Sequence, residues 1–400
     1  MQEYARSVRT GLARELPFAL GIALAFAVLF LFGFAERRAE ILRLGDFSGF
    51  WAGGRAMTLG LDPYDARTWL ATTEQLGTQK PDTAVYGYPP HVALALLPLA
   101  LLPLEIAAAV WVIVGMVIAA FGVRALLRTA LPDAPVAHTL AGLALFGSQP
   151  AITSFVIGQW TFLLVGSVAF AATAALRGRA VAGLAIAPLF AKPQLALTAP
   201  IALLLGLPGR RTRTVVLMAT VAVALAVAGW LAAPGWLEAW LTAVPGRRVD
   251  ALPRNATTFG AAADLFGSAG IGLAALVVVI GAVALRRLAG RPAAALAGTL
   301  AYGHVVAPYS WAYDQLLLLV PAIAAAAALP VRLGAALVIG VAALLVFVSP
   351  LFYALAVSRG RESLSGIVPV AVFTVLVALL WRERRALPSA SRDPRSDGEE

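Results

Sequence analysis

Cysteine is absent from this 400-residue chain, and histidine occurs only at His91, His138 and His304. Without cysteine there is neither a disulfide framework nor a thiolate metal site, and three scattered histidines disfavour a histidine-built metal site. We therefore predict no cofactor and no metal ligands, and the sequence leaves open whether a divalent ion takes part.

Charged residues are also scarce: they make up 13% of the chain, against 60% hydrophobic residues and a mean hydropathy of +0.84. Apolar runs of about 15 to 20 residues recur along nearly the whole length, which excludes a soluble globular protein. The composition predicts an all-α polytopic membrane protein. The net charge of +10 comes mainly from arginine clusters between the apolar runs, so it indicates topology and not nucleic-acid binding.

The arginine clusters predict the orientation, because basic residues beside membrane helices favour the cytoplasm. The clusters are Arg124 and Arg128; Arg177 and Arg179; Arg210, Arg211 and Arg213; Arg286, Arg287 and Arg291; Arg332; and Arg382, Arg384 and Arg385. With all of them inside, about twelve crossings follow, and both termini are cytoplasmic. The predicted crossings are 17–34, 104–123, 137–150, 160–176, 181–191, 194–207, 214–232, 271–286, 293–308, 315–329, 333–352 and 366–382. The first is interpreted as an uncleaved helix.

Residues 1–387 are predicted to form a single transmembrane domain, and the polar tail 388–400 is predicted to be disordered. The apolar run from His91 to Leu102 is bounded by prolines and is too short to cross, so it is predicted to be re-entrant. We expect the polar outer segments to converge on one face. These segments are 35–90, 148–159, a tip at Lys192, 233–268, 307–314 and 354–365.

The first outer loop, 35–90, holds seven of the 21 acidic residues and seven aromatic residues. A membrane protein that keeps such a loop is expected to perform chemistry or recognition there. After Asp46, the residues Phe47, Phe50, Trp51 and Gly54 have helical spacing, which predicts a helix with one face in the membrane interface. Asp46 is then either the N-cap of this helix or a general base whose proton affinity is raised by partial desolvation.

The stretch 60–65 predicts a turn and a second short helix with Pro63 at its first position. Capping is the favoured role for Asp62 and Asp65. At the start of the re-entrant run, His91 could bind a phosphate or a hydroxyl, although a satisfied interfacial histidine is the favoured interpretation.

Lys192 is one of only two lysines, against 29 arginines, and it lies between apolar runs. An ammonium at that depth is costly unless an anion meets it, and a lipid phosphate is the candidate; the alternative is snorkelling to the headgroups. Arg254, with Arg247 and Arg248, could hold a phosphate or form a headgroup-binding face. Residues 308–315 suit a carbohydrate platform, but they also suit an interfacial aromatic belt with Asp314 as a helix cap.

Several short motifs occur in order between about residue 40 and residue 320. They are Asp46 with Gly53-Gly54-Arg55; Gly60-Leu61-Asp62-Pro63-Tyr64-Asp65; Tyr88-Pro89-Pro90; Leu97-Pro98-Leu99-Ala100-Leu101-Leu102-Pro103; Gly158-Gln159; Arg177-Gly178-Arg179 before Ala182-Gly183; Lys192-Pro193; and Pro308-Tyr309-Ser310-Trp311. In this order and spacing they resemble glycosyltransferase family 87, the polyprenol-phosphate-mannose-dependent α-(1→2)-mannosyltransferases of GT-C fold.

The resemblance implies that a sugar passes, with inversion, from a polyprenyl-phosphate lipid to a hydroxyl of a lipid or glycan. It also implies an active site on the periplasmic or exterior face of a bacterial inner membrane. The absence of a nucleotide-binding glycine loop suits such a lipid-linked donor.

An acidic base in the first outer loop is part of the implied pattern, and only Asp46 matches that position. Lys192 and Arg254 are the candidates for the donor phosphate. The residues expected to contact substrate are Trp51, Tyr64, Tyr88, His91, Gln159, Trp311, Tyr313 and Asp314. Related mannosyltransferases often carry histidine just after the Ser-Trp pair, whereas Ala312 follows here, so the sugar and the acceptor stay open.

Two alternatives remain. One is a transporter or flippase of a lipid-linked or small polar substrate, although transporters place ionisable groups at the membrane midplane and here most acidic groups lie in outer loops. The other is a non-catalytic membrane partner in envelope assembly, for which Asp46 would be dispensable.

Overall fold

The computed structural model describes residue 43 and residues 45–78, 83–250 and 254–386, apart from the side chains of residues 196, 245–250 and 384–386. The predicted first crossing, 17–34, and the predicted tail, 388–400, lie outside the described residues. Within the described ranges the chain consists of helices and connecting turns, with no β-strand. This confirms the predicted all-α class.

The α-helices differ widely in length. They are Asp46–Thr58, Ala66–Gln75, Pro90–Ala95, Leu97–Ala100, Leu104–Ala130, Pro135–Gly147, Gln149–Ile157, Thr161–Leu176, Ala182–Ala185, Pro193–Ala196, Ala199–Gly206, Arg211–Ala232, Trp236–Asp250, Thr258–Phe266, Ser268–Arg286, Pro292–Val306, Leu319–Ala326, Val331–Ala343, Ser349–Arg359 and Ile367–Ala386. Short 3₁₀ segments cover Ala187–Ala191, Pro208–Arg210, Ala312–Leu318 and Ser363–Gly366, and a π turn covers Leu344–Val348.

Six helices in the described part of the chain are long and apolar enough to cross a membrane. They are Leu104–Ala130, Pro135–Ile157, Pro208–Ala232, Ser268–Arg286, Val331–Arg359 and Ser363–Glu383. They confirm that this is a membrane protein, while the total of about twelve crossings stays a prediction. Around Lys192, where crossings 181–191 and 194–207 were predicted, the chain forms only short helical pieces.

Helices Leu104–Ala130 and Thr161–Leu176 pack against each other over an extensive contact. A Cβ added to Gly122 would come within 2.5 Å of the Gly166 carbonyl oxygen, so the two backbones touch at this crossing. Small residues allow membrane helices to approach in this way. The contact helps to place Gly158 and Gln159, which precede the second helix, beside Trp111 of the first, whose indole Nε1 donates to the Gly158 carbonyl at 2.9 Å.

The helix predicted after Asp46 is present as Asp46–Thr58, but its apolar face does not lie in the membrane interface. Phe47, Phe50 and Trp51 are 2%, 1% and 8% exposed, and they pack inside the protein. Phe50, for example, meets the Tyr88 ring edge-on with 4.8 Å between centroids. The prediction of an interfacial helix was therefore wrong here, because an apolar helix face fits a protein core as well as it fits a lipid surface.

The second short helix of the loop begins later than predicted. It spans Ala66–Gln75, so Pro63 lies in the preceding turn and not at the first helical position. Asp65 is the N-cap, and its carboxylate accepts hydrogen bonds from the Thr68 amide and hydroxyl at 2.8 and 2.7 Å. Asp62 accepts from the Tyr64 amide at 2.8 Å and stabilises the turn. The predicted capping role is thus confirmed for Asp65.

The run predicted to be re-entrant forms two short helices, Pro90–Ala95 and Leu97–Ala100. Both are too short to cross a bilayer. They pack against helix Asp46–Thr58, where the Trp51 indole donates to the Leu102 carbonyl at 3.1 Å and the Arg55 guanidinium donates to the Ala100 carbonyl at 3.3 Å. The first loop and this run therefore form one packed unit, and its path relative to the bilayer stays a prediction.

Candidate active site

Asp46 is the first residue of helix Asp46–Thr58, and the N-cap position before it belongs to Gly45. The interpretation of Asp46 as the N-cap was therefore wrong. A carboxylate in the first helical turn interacts favourably with the helix dipole. The Asp46 side chain is partly exposed, and its Oδ2 accepts a hydrogen bond from the Gln159 side-chain amide.

Gln159 is positioned by the turn that ends helix Gln149–Ile157. Most of the predicted outer segment 148–159 is helical. The helix is terminated by Gly158, whose φ of 68° lies in the left-handed region that glycine adopts without strain. The Gln159 Nε2 carries two hydrogens, so it can donate to Asp46 and, at 3.1 Å, to the Tyr313 hydroxyl. The amide thereby links the first loop to the segment around Tyr313.

Lys192 is buried and ion-paired inside the protein. Its Nζ lies 2.8 Å from Asp314 Oδ1 and 4.7 Å from the centroid of the Tyr313 ring. The lysine and aspartate side chains are 4% and 1% exposed, so the snorkelling alternative was wrong. Asp314, a residue of the same chain, is the anion that offsets the cost of burying this ammonium.

Asp314 also has a structural role. It lies in the 3₁₀ segment Ala312–Leu318, and its Oδ2 accepts a hydrogen bond from the Trp311 amide at 3.2 Å. The predicted capping role is thus confirmed, and the ion pair with Lys192 is added to it. Because both carboxylate oxygens have partners and the side chain is buried, Asp314 is poorly placed to meet an acceptor hydroxyl.

Glu362 belongs to the same region but was not among the predicted residues. Its Oε2 accepts a hydrogen bond from the Ala312 amide at 2.8 Å. Burial raises the pKa of the Glu362 carboxyl above its ordinary value of 4.5; the Ala312 amide opposes this shift and the charge of Asp314 adds to it. The sequence did contain a signal, since Glu362 is the only acidic residue of the predicted outer segment 354–365.

The other predicted site residues divide into two groups. Tyr64 and Trp51 are buried and use their polar atoms to hold the first loop: the Tyr64 hydroxyl donates to the Tyr88 carbonyl, and Trp51 donates to Leu102. Tyr88, His91 and Trp311 are partly exposed.

The contacts of His91 and Trp311 differ. His91 hydrogen-bonds to the Phe190 main chain while its Nε2 has no partner, and burial lowers the pKa of its imidazole. The Trp311 indole donates to the Tyr309 hydroxyl at 2.7 Å. Arg254 has an exposed side chain, and its carbonyl accepts from the Glu362 amide at 2.9 Å.

These contacts join the six outer segments at one end of the helices, as predicted. The fourth segment takes part through the Trp240 indole, which donates to the Gly87 carbonyl at 3.2 Å, and through the Ala256 amide, which donates to the Ser310 carbonyl at 3.0 Å. Among the described residues, no three His, Asp or Glu side chains come together as a metal site would need. The arrangement offers a partly exposed carboxylate held by an amide, next to a phenol and a buried cation.

Comparison with known proteins identifies a family. The model of glycosyltransferase family 87 matches residues 86–310, which is more than half of the chain. This range contains Gln159, Lys192 and Arg254, and it leaves Asp46 and Asp314 on either side. No curated protein and no solved structure matches the chain.

Proposed function

The chain belongs to glycosyltransferase family 87, and on this basis we propose that it transfers a hexose, mannose in the first instance, from a polyprenyl-phosphate sugar to a hydroxyl of a lipid or glycan. Membership of a family of glycosyltransferases makes the protein an enzyme and argues against the transporter alternative. We further propose that the reaction takes place on the periplasmic or exterior face of a bacterial inner membrane, where the six outer segments meet.

The partial exposure of Asp46 carries the proposal for the mechanism. Asp46 takes the proton of the acceptor hydroxyl, the acceptor oxygen attacks the anomeric carbon, and the bond from that carbon to the phosphate oxygen breaks. The leaving group is polyprenyl phosphate, and the single displacement inverts the anomeric configuration. Asp314 is excluded from this role because it is buried against Lys192.

Gln159 positions the base in this proposal. A carboxylate that accepts a hydrogen bond from a buried amide loses rotational freedom, and correct orientation of a reacting group can contribute several kcal/mol to catalysis. The same amide contacts Tyr313, so Asp46 is also connected to the Lys192–Asp314 pair.

Lys192 and Arg254 are our candidates for the donor phosphate. An ammonium has three N–H donors, and one of them meets Asp314. A phosphate that reaches Lys192 would therefore lie close to Tyr313, and through Gln159 close to Asp46. Tyr88, His91 and Trp311 are partly exposed and suit contacts with the substrates, whereas a substrate role for the buried Trp51 and Tyr64 would require these residues to leave their present partners.

Substitution of Asp46 tests the base. We expect Asp46→Asn to fold normally and to lower the transfer rate from a labelled polyprenyl-phosphate sugar by roughly 100- to 10,000-fold, because an amide cannot take the proton. The matched control is Asp65→Asn in the same loop: Asp65 is an N-cap, and asparagine caps a helix about as well as aspartate does. Transfer by Asp46→Asn at the rate of Asp65→Asn would rule out the base.

A further inference from the structure

Two arginines share one buried carboxylate next to the candidate active site. The Asp264 side chain is 1% exposed. Arg359 approaches it with two nitrogens, at 3.2 and 3.3 Å, and Arg361 lies 2.9 Å away. The Ser363 hydroxyl donates to the same carboxylate at 2.7 Å. Asp264 thus holds both guanidinium groups in fixed positions.

The arginine pair lies where two membrane helices end. Val331–Arg359 and Ser363–Glu383 are both long and apolar enough to cross, and Arg361 is in the short turn between them. Asp264 precedes helix Ser268–Arg286, which is also long enough to cross. Apolar side chains beside the pair are exposed, at 68% for Val357 and 57% for Phe266. This combination of exposed apolar and basic groups is typical of the lipid headgroup level.

The charges at this position do not balance. Two guanidinium groups against one carboxylate leave one positive charge. Each guanidinium carries five N–H donors, which is more than the two oxygens of Asp264 can accept. The Arg359 and Arg361 side chains are 34% and 41% exposed, so the remaining donors are accessible from outside. One arginine would be enough to neutralise Asp264, so the second is not explained by charge neutralisation alone.

The pair is also connected to the active site through the next residue. Glu362 follows Arg361, and its carboxylate accepts from the Ala312 amide, next to Tyr313. The main-chain amide of Glu362 donates to the carbonyl of Arg254, whose side chain is exposed. An anion held by Arg359 and Arg361 would therefore lie a short distance from the segment that carries Tyr313 and Asp314.

We propose that Arg359 and Arg361, held by Asp264, bind the phosphate of a polyprenyl-linked substrate at the membrane surface. Guanidinium groups bind phosphate with paired, charge-assisted hydrogen bonds, and two of them at headgroup level suit a phosphate on a lipid chain. The inference rests on the proposed use of a polyprenyl-phosphate substrate. It adds a phosphate site at the membrane surface to the two candidates for the donor phosphate, the buried Lys192 and the exposed Arg254. A bulk anionic phospholipid would offer the same phosphate chemistry, so the experiment has one arm for each lipid.

The first arm measures the affinity of sugar-free polyprenyl phosphate for the purified protein in phosphatidylcholine nanodiscs. We expect Arg359→Gln and Arg361→Gln each to weaken binding about tenfold, which is the loss of a hydrogen bond between charged groups. The matched control is Arg332→Gln, since Arg332 is an exposed arginine at the opposite end of the same apolar helix, Val331–Arg359. Binding by both variants at the affinity of the control would overturn the proposal.

The second arm adds phosphatidylglycerol to the nanodiscs. We expect phosphatidylglycerol to compete only weakly with polyprenyl phosphate. If phosphatidylglycerol competed at a concentration as low as that at which polyprenyl phosphate binds, the arginine pair would be a site for bulk anionic lipid. That result would overturn the substrate site. Asp264→Asn removes the carboxylate that holds both guanidinium groups, so binding should weaken. Binding of this variant at the wild-type affinity would contradict the role of Asp264 in positioning the pair.

Stability and activity controls complete the test. If a glutamine variant fails to fold, Arg361→Lys keeps the charge but loses the paired donors, and weaker binding is again expected. Asp46→Asn should bind polyprenyl phosphate normally. A wild-type protein that binds polyprenyl phosphate but transfers no sugar from the corresponding polyprenyl-phosphate sugar would overturn the proposed function and leave the binding site intact.

Discussion

The buried pair of Lys192 and Asp314 illustrates how a costly charge is kept in a membrane protein. Each ion would cost several kcal/mol if it were buried alone, and the pair is tolerable because the two groups touch at 2.8 Å and Asp314 also accepts from Trp311. Lys192 therefore has a structural partner in addition to any ligand. A single substitution cannot separate the two roles.

A double substitution can separate them. We expect Lys192→Met and Asp314→Asn each to lower the free energy of unfolding, by roughly 3–5 kcal/mol for the lysine change, which leaves a buried charge unpaired. The double variant should recover most of this stability, because no unpaired charge remains. Thermal unfolding in detergent measures this effect.

The kinetics of the same double variant test the phosphate role of Lys192. If Lys192 binds the donor phosphate, the folded double variant should have a raised KM for the polyprenyl-phosphate sugar. A wild-type KM in a stable double variant would show that Lys192 serves only Asp314.

The turn between helices Gln149–Ile157 and Thr161–Leu176 sets the position of the base. Gly158 has a positive φ, and a Cβ added to it would lie 2.5 Å from the Cβ of Phe47, the residue after Asp46. The helix that carries Asp46 and the turn that carries Gln159 are thus in direct contact. A glycine is needed here for its conformation and for its small size.

Gly158→Ala should therefore lower both stability and activity. The left-handed conformation alone costs alanine about 1–2 kcal/mol, and the clash with Phe47 adds to it and displaces Asp46 from Gln159. Gly178→Ala is the matched control, since Gly178 has nearly the same φ, 67°, with no atom within 4 Å of an added Cβ. Thermal unfolding and transfer assays that fail to distinguish the two variants would contradict this account of the turn.

The candidate catalytic groups lie at one end of the helices, and the arginine clusters that were predicted to be cytoplasmic lie at the other end. Gln159 lies just before helix Thr161–Leu176 and Arg177 lies just after it, and Arg332 and Arg359 mark opposite ends of a second helix. If the end with the arginine clusters faces the cytoplasm, the arrangement agrees with the rule that basic residues beside membrane helices favour that side. The active site is accordingly expected on the outer side.

Single cysteines can test this arrangement, because the natural chain has none. We expect Glu74→Cys, exposed in the first loop, to react with a membrane-impermeant maleimide in intact cells, and Arg177→Cys to react only after lysis. Labelling of both from the same side would contradict the topology. Labelling of Arg177→Cys alone in intact cells would place the site inside.

Composition and local pattern were sufficient for the membrane class, for most of the long helices and for the set of segments that meet at one end. These properties depend on the length of apolar runs and on the position of arginines, which are local along the chain. The capping by Asp65 was predictable for the same reason, since a cap contacts residues three positions away.

Long-range packing decided what the local patterns left open. Asp46 meets Gln159 across 113 residues and Lys192 meets Asp314 across 122, and no periodicity along the sequence encodes such pairs. The apolar face of helix Asp46–Thr58 is equally compatible with lipid and with protein, and only the neighbouring helices determine which one covers it. The sequence thus specified which residues were available for chemistry, and the fold specified which of them meet, because burial and pairing arise only when distant segments pack together.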